Sequence, residues 1–344
     1  MMANESLDIE DFAALLQYLR ENSRIGADET PTFTRLSGGV SNRAILVERQ
    51  NGSAWVLKQA LPRLRVSVEW LSDPRRIERE AAGMRELAKL APEGSITPLV
   101  FLDASRFLLA MEAVPQPHQN WKTMLLAGDV RTSHVEQFGT LLGRIHRGGW
   151  KHRAKLAQEF EDRSFFESLR LEPYYQYSAS EQLAAAEFLT NLIDRTRKTR
   201  HTLVHGDFSP KNVLVHNDRL ILLDHEVIHF GQGAFDIGFA LAHLLSKAHH
   251  LPAHRSAFIR AAKDFYRSYR ESLGDVLWKQ EAEKDGVSHA LGCLLARCVG
   301  RSPLEYLDKF EKDRQVHAVL KLMHHQPDRI ASLADEFIAE IEGG

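Results

Sequence analysis

The chain has 344 residues, with 44 Lys and Arg against 46 Asp and Glu and a formal net charge of -2. Hydrophobic residues make up 44% and charged residues 26%, an ordinary globular composition long enough for two cores rather than one. Near-neutrality removes the electrostatic case for nucleic acid or an anionic membrane surface as the main partner.

The N-terminal stretch MMANESLDIEDF is acidic and polar, without the basic start and apolar centre of a signal peptide. No apolar run approaches membrane-spanning length, so a soluble, cytoplasmic protein is expected. Apolar residues at Ile9, Phe12, Leu15, Leu16 and Leu19 predict an amphipathic helix over Ile9 to Arg20. Short strand-like runs follow at Phe33 to Leu36, Arg43 to Glu48 and Ala54 to Gln59, with Gly38-Gly39 in the first gap and the hairpin signal Asn51-Gly52 in the second. The basic stretches Arg63 to Arg65 and Arg75 to Arg79 read as a solvated face.

Asp73-Pro74 reads as N-cap and first turn of a helix with an apolar stripe of Ile77, Ala81, Met84 and Leu87. Two more strands are expected at Ile96 to Leu102 and Phe107 to Met111. Beyond Val114 the pattern turns helical. Ser133 with Glu136 has the spacing of a capping box, opening a helix that Gly148-Gly149 should stop. Another helix is expected over Ala179 to Arg197. After a strand-rich island, Thr202 to Val227, the chain is helical from Phe235 to its end, with a break near Gly300 to Pro303. The two cysteines, Cys293 and Cys298, are too few for a disulfide framework or a zinc site and read as buried thiols. The pairs His249-His250 and His324-His325 read as solvated surface rather than metal sites.

The island carries the chemistry. His205-Gly206-Asp207-Phe208-Ser209-Pro210-Lys211-Asn212 precedes two strands, Val213 to His216 and Arg219 to Leu223, joined by Asn217-Asp218, a two-residue link suited to a tight hairpin. Pairing His216 with Arg219 sets Asn212 opposite Leu223, so Asn212 and Asp224 meet at the hairpin's open end across a spacing of roughly 4.8 Å. One amide oxygen and one carboxylate make a poor protein-only cage. They suit magnesium, which completes its octahedron with water and substrate phosphates. Asp207 precedes Asn212 by five residues, the spacing His-x-Asp-x-x-x-x-Asn in which the Asp takes the proton of an attacking hydroxyl. Any one of these residues alone would read as a turn cap; the three together do not.

A second half of a nucleotide site lies upstream. Gly38-Gly39-Val40-Ser41-Asn42 joins two strands, and a glycine turn lets backbone N–H groups approach phosphate. Lys58 ends Trp55-Val56-Leu57-Lys58 on the same strand face as Val56, a mobile charge for phosphates. On a helical wheel Glu80 falls on the apolar side of its helix and Glu78 does not. A carboxylate there needs a partner, so Glu80 is expected to hold Lys58. The backbone of Met111-Glu112-Ala113, where strands give way to helices, is positioned to receive adenine.

HGDFSPKNVLV (205–215), LILLDHE (220–226) and Gly233-Ala234-Phe235-Asp236-Ile237-Gly238 resemble the aminoglycoside phosphotransferase and choline kinase superfamily, and within it the phosphotransferase enzyme family and methylthioribose kinases. The resemblance spans about Leu36 to His243. It implies an α+β, two-lobed protein-kinase-like fold, with a small β-rich lobe over 1–113 and a larger, mostly helical lobe over 114–344. It also implies ATP, Mg²⁺ and transfer to a hydroxyl of a small molecule of sugar, aminoglycoside or amino-alcohol type. Asp236 is implied to brace the catalytic loop from beneath, and His205 to support it. The chain departs from protein kinases in having only Gly38-Gly39 in place of Gly-x-Gly-x-x-Gly and Val56 in place of an alanine. Ser209 stands where many kinases have lysine. Lys211 either supplies that charge or faces solvent, and His225 stands where relatives carry phenylalanine or tryptophan. The alternative reading is a non-catalytic nucleotide-binding regulator on the same fold.

Overall fold

The computed structural model describes residues 7–36, 39, 41–65 and 70–343. Five antiparallel strands form one sheet: β1 (Thr32–Arg35), β2 (Asn42–Glu48), β3 (Ala54–Ala60), β4 (Leu99–Asp103) and β5 (Leu108–Glu112), in the order β1-β2-β3-β5-β4. Gly52 turns β2 into β3 with φ +83°, a conformation that favours glycine. Alternation along β3 then decides what each face does. Trp55 and Leu57 point to a cluster with Leu15, Tyr18 and Leu19 of helix α1 (Phe12–Glu21), which Asp11 caps. Val56 and Ala60 point the other way, into a cluster with Ile77, Ala81 and Met84 of helix α2 (Arg76–Leu90). Lys58 shares that second face, so the strand period aims its ammonium at α2.

α2 begins later than Asp73-Pro74 predicts. Asp73 is taken by the N–H of Arg75 at 2.9 Å and by that residue's own guanidinium, an Asx-type turn that leaves no side-chain cap on α2. β4 begins at Leu99 rather than Ile96. Ile96 pairs instead with Leu222, and the Leu222 N–H donates to the Ser95 carbonyl at 2.8 Å, tying this segment to the later hairpin.

The remaining chain is mostly helical. A helix over Thr132–Lys151 packs along one over Arg255–Leu273, and Ala234–His250 packs along Glu281–Val299. Two expectations fail on the first of these. Ser133 lies inside the helix, whose N-cap is Arg131, with no side-chain cap. Gly148 and Gly149 do not stop it. A Cβ on Gly149 would stand 2.2 Å from Thr202 Oγ1, so the glycine is spent on close packing against the strand Thr202–Val204. The helix expected over Ala179 to Arg197 is two pieces, Tyr177–Glu181 and Ala186–Lys198, broken at the extended Gln182. The helix Ala234–His250 is buried on every side through His249 and sits at the centre of the main core. His249 is therefore not solvated surface, contrary to the expectation for the pair His249-His250. Cys293 is buried and Cys298 half-buried, both as free thiols. No described helix is long and apolar enough to cross a membrane.

Several core histidines are neutral. Burial pushes His229 and His289 down to about 3, the first accepting a stack from Phe166 and the second bonded between Tyr175 and Gln232. Unfolding restores them to about 6.5, so below that pH the unfolded chain binds protons that the folded chain refuses. Stability is full above about pH 6.5 and falls as pH drops toward 3, by about 2 kcal/mol per histidine between pH 6.5 and 5. Urea midpoints at pH 7 and pH 5 measure this; equal midpoints would contradict it.

Candidate active site

The strand Thr202–Val204 delivers the loop that follows, and Asp236, wholly buried at the start of its helix, fixes it from below. The N–H groups of His205 and Gly206 donate to the two Asp236 carboxylate oxygens at 2.7 and 2.8 Å. His146 Nε2 lies 3.3 Å from the same carboxylate. Burial alone would raise the Asp236 carboxyl, but the hydrogen bond and charge of His146 and the backbone donors outweigh it and hold it below the usual range. Gly206 takes φ +79°, and a Cβ there would meet Val227 at 2.9 Å.

Two histidines form the wall behind Asp207. The Asp207 N–H donates to His205 Nδ1 at 3.2 Å, so the His205 proton resides on Nε2 and donates to His225 Nδ1 at 3.1 Å. Burial lowers both imidazoles, and for His225 the neighbouring His205 and Lys58 lower it further. His225 thus has a defined part, as an acceptor that fixes the His205 tautomer, which a phenylalanine could not play.

Asp207 Oδ2 accepts from Asn212 Nδ2 at 2.8 Å and lies 2.8 Å from Arg170 Nη2. The Asn212 carbonyl accepts the Leu223 N–H at 2.8 Å, and the hairpin pairs Val213 with Leu222 and His216 with Arg219, the register that the two-residue turn predicts. Asn217 and Asp218 both have positive φ, at 48° and 57°, the demand of that turn. Asp224, the next residue past the hairpin, is held at φ +67°, a cost of order 1–3 kcal/mol for a non-glycine residue that the surrounding contacts support.

Lys58 Nζ stands 2.6 Å from Glu80 Oε1 and 2.8 Å from Asp224 Oδ1, bridging α2 to the hairpin mouth. Burial would strip the Lys58 proton, but Asp224, Glu80 and Glu226 together push its pKa above the ordinary range. Burial likewise works to raise Asp224, yet the Lys58 charge and hydrogen bond, then Lys211 and Arg170, hold it far below the usual carboxylate range. Glu80 is the most buried of the three carboxylates around Lys58, and burial raises it despite Lys58.

Three residues at this centre take no role from the sequence: Glu226, which ends the motif LILLDHE, and Arg76 and Arg170, which lie outside any motif. Glu226 contributes an oxygen to a group with Glu80 and Asp224 whose members lie within 4.8 Å of one another. Arg76, fully buried, donates Nε to Glu226 at 3.1 Å and Nη2 to the carbonyls of Leu61, at 2.9 Å, and Ser41. The basic run around Arg75 to Arg79 is therefore not wholly a solvated face. Arg76 sits four residues before Glu80 on the same helical face, so the wheel that selected Glu80 also marks Arg76. Arg170, paired with Asp207, comes from a π-helical segment, Glu167–Gln176, with no motif of its own.

The upstream residues arrive as follows. Ser41 and Asn42 are buried beside Arg76 and Glu226, with Asn42 Nδ2 3.4 Å from Glu226 Oε2 and Asn42 Oδ1 without a partner among the described residues. Gly39 is exposed, and Gly38 lies outside the described residues. Met111 is in β5. The Ala113 N–H already donates to Ala54 at 2.9 Å, so any contact of Ala113 with a base runs through its carbonyl. The donors near Asp224 are carboxylate and amide oxygens, which fit a hard cation such as magnesium and not zinc. With Asn212 Nδ2 committed to Asp207, Oδ1 is the Asn212 atom left for such an ion.

Residues 32–272 match the family described as phosphotransferase enzyme family. Methylthioribose kinase 1 of Oryza sativa subsp. japonica is 21% identical over 328 residues, covering 81% of this chain and 74% of that protein. Methylthioribose kinase of Enterobacter sp. (strain 638) is 22% identical over 302 residues, covering 75% and 74%. Among solved structures, amicoumacin kinase hAmiN in complex with AMP-PNP, Ca²⁺ and Ami superposes with a TM-score of 0.58 at 16% identity, covering 93% of this chain and 95% of that one. A choline/ethanolamine kinase family protein from Mesorhizobium loti gives 0.52 at 13% identity, covering 96% and 99%. The chain therefore has an α+β kinase-like fold, a small antiparallel sheet beside a helical body.

Proposed function

We propose, from the premise that this chain belongs to the phosphotransferase enzyme family, that it moves the γ-phosphate of ATP to a hydroxyl of a small molecule. The nucleotide lies between the sheet-bearing part, 1–113, and the helical part, 114–344. Gly39, Ser41 and Asn42 face its phosphates, Lys58 held by Glu80 orients them, and the backbone at Met111 and Ala113 receives the base. Asp224 and Asn212 would hold a magnesium ion, which neutralises phosphate charge when bound. Asp207 accepts the proton as the acceptor oxygen bonds to the γ-phosphorus and the bond to the ADP oxygen breaks. His205 and Asp236 keep the loop in register.

The observation that carries this reading is the Lys58 ammonium seated between Glu80 and Asp224. It joins segments 166 residues apart in sequence that this reading assigns to one phosphate site. Such reach is difficult to account for in a turn cap or a surface lysine. The other reading, a nucleotide-binding regulator, lacks a reason for Asp207 to be held by Arg170 and Asn212 on a braced loop.

The test is ADP release over a panel of hydroxyl acceptors, beside a thermal melt with ATP and Mg²⁺. Stabilisation by nucleotide with no turnover on any acceptor would favour the regulator. Lys58→Met should lower kcat/KM for ATP by about 10²-fold, close to 2.7 kcal/mol of lost phosphate stabilisation. An unchanged value would remove Lys58 from the phosphate site.

A further inference from the structure

Beside the catalytic loop the helical body opens a cavity of about 230 Å³, lined by Lys122, Lys211, His243, Arg297, Ser302 and Glu305 among others. Its charge is one-sided. Lys122 pairs with Glu305, the only carboxylate in the lining among the described residues. Among the described residues Lys211 and Arg297 have no carboxylate partner. Arg297 is 8% exposed; it donates to Tyr174 Oη at 3.0 Å and to Ser302, both neutral, and its Nε is buried without a partner.

Behind this wall lies Lys247, fully buried on the central helix. Among the described residues its ammonium has one hydrogen bond, to the His243 carbonyl at 3.2 Å, and it sits 5.3 Å from the Tyr306 ring, whose buried hydroxyl has no partner among them either. Burial, then Lys122 and Arg297, lower its pKa to about 7. A buried cation facing other cations is costly unless an anion joins it.

The cavity is coupled to the chemistry by short contacts. Lys211 precedes Asn212, whose amide bonds Asp207. Tyr174, the partner of Arg297, also lies under the guanidinium of Arg170, which pairs with Asp207. The space is below the roughly 300–1,000 Å³ typical of drug-sized ligands, and a polycationic aminoglycoside would meet like charge.

We propose that this cavity binds an anionic group, a carboxylate or a phosphate, of the acceptor, so that the substrate is a small hydroxy acid or a phosphorylated alcohol with its hydroxyl at Asp207. This rests on the phosphotransferase reading. The test uses matched three- to five-carbon alcohols in neutral, carboxylate, phosphate and ammonium forms, the shortest set being glycerol, glycerate, glycerol 3-phosphate and 2-amino-1,3-propanediol. ADP release is read at saturating ATP and Mg²⁺, and melting is read on protein saturated with AMP-PNP and Mg²⁺.

Anionic members should exceed their neutral counterparts at least tenfold in kcat/KM, and the better of carboxylate and phosphate identifies the group. Lys247→Met and Arg297→Met should raise the acceptor KM at least tenfold and leave the ATP KM within twofold. Lys247→Met removes a buried charge at similar volume, so its own melt reports that it folds. Neutral or ammonium acceptors that do as well overturn the proposal, as do variants that act on the ATP KM instead. If no acceptor turns over, the melt decides: anion stabilisation lost in Lys247→Met supports the proposal, and its absence or persistence there refutes it. Failure of AMP-PNP and Mg²⁺ to shift the melt would instead signal failure of the phosphotransferase reading itself.

Discussion

Asp207→Asn is expected to lower kcat by at least about 10²-fold, roughly 2.7 kcal/mol, while the KM for ATP changes little. The substitution keeps the shape of the side chain and one oxygen for Asn212 Nδ2, which now approaches Asp207 Oδ2 at 2.8 Å. What it removes is the carboxylate proposed to accept a proton from the attacking hydroxyl. It also leaves Arg170, nine-tenths buried and 2.8 Å from Asp207, facing a neutral amide. A stability loss of about 1–3 kcal/mol should accompany the kinetic one. The two effects separate cleanly. Arg170→Met removes the cation and keeps the base, so it should retain far more turnover than Asp207→Asn. Equal turnover in wild type and Asp207→Asn would take Asp207 out of the mechanism.

Asp236→Asn is the substitution with the largest structural effect. Both Asp236 oxygens are in use, by the N–H groups of His205 and Gly206 at 2.7 and 2.8 Å, with His146 at 3.3 Å. An amide offers one acceptor and turns an NH₂ toward a backbone donor. One buried N–H then loses its partner, and the charge that stabilises the network is gone. A loss of about 2–4 kcal/mol in unfolding free energy is expected, with kcat falling because the loop carrying Asp207 is released. Chemical denaturation checks the first and turnover at a temperature well below the melt checks the second. A variant as stable as wild type would show that the brace is dispensable.

The contrast between Glu80 and Arg76 shows where sequence reading runs out. Both lie on the buried side of α2, and a carboxylate there demanded a cation, which Lys58 supplies at 2.6 Å. Arg76 made the same demand, yet neighbouring arginines masked it as part of a charged surface. Its partner Glu226 is 150 residues away, at the end of the LILLDHE segment, and nothing local in either stretch links the two. Arg170 was hidden for the same reason: an isolated arginine in a segment without period carries no local sign of the carboxylate it meets. Gly148 and Gly149 failed differently. A glycine pair reads as a helix stop, but the structure uses their lack of a side chain for close packing, Gly148 against Leu90 and Gly149 against Thr202 and Leu203, and only the packed neighbour distinguishes the two uses.

What the chain determined by itself is whatever depends on residues near one another: the strand alternation that turns Lys58 toward α2, the two-residue turn that sets Asn212 beside Leu223 and Asp224, and the five-residue step from Asp207 to Asn212. Backbone periodicity is local, so these relations are legible without a fold. The electrostatic setting of the same groups was decided in three dimensions. The partners Arg76–Glu226, Arg170–Asp207 and His205–His225, and the cationic cavity around Arg297 and Lys247, join segments far apart in sequence. Charge interactions depend on distance through space and on burial, and neither is written in sequence order.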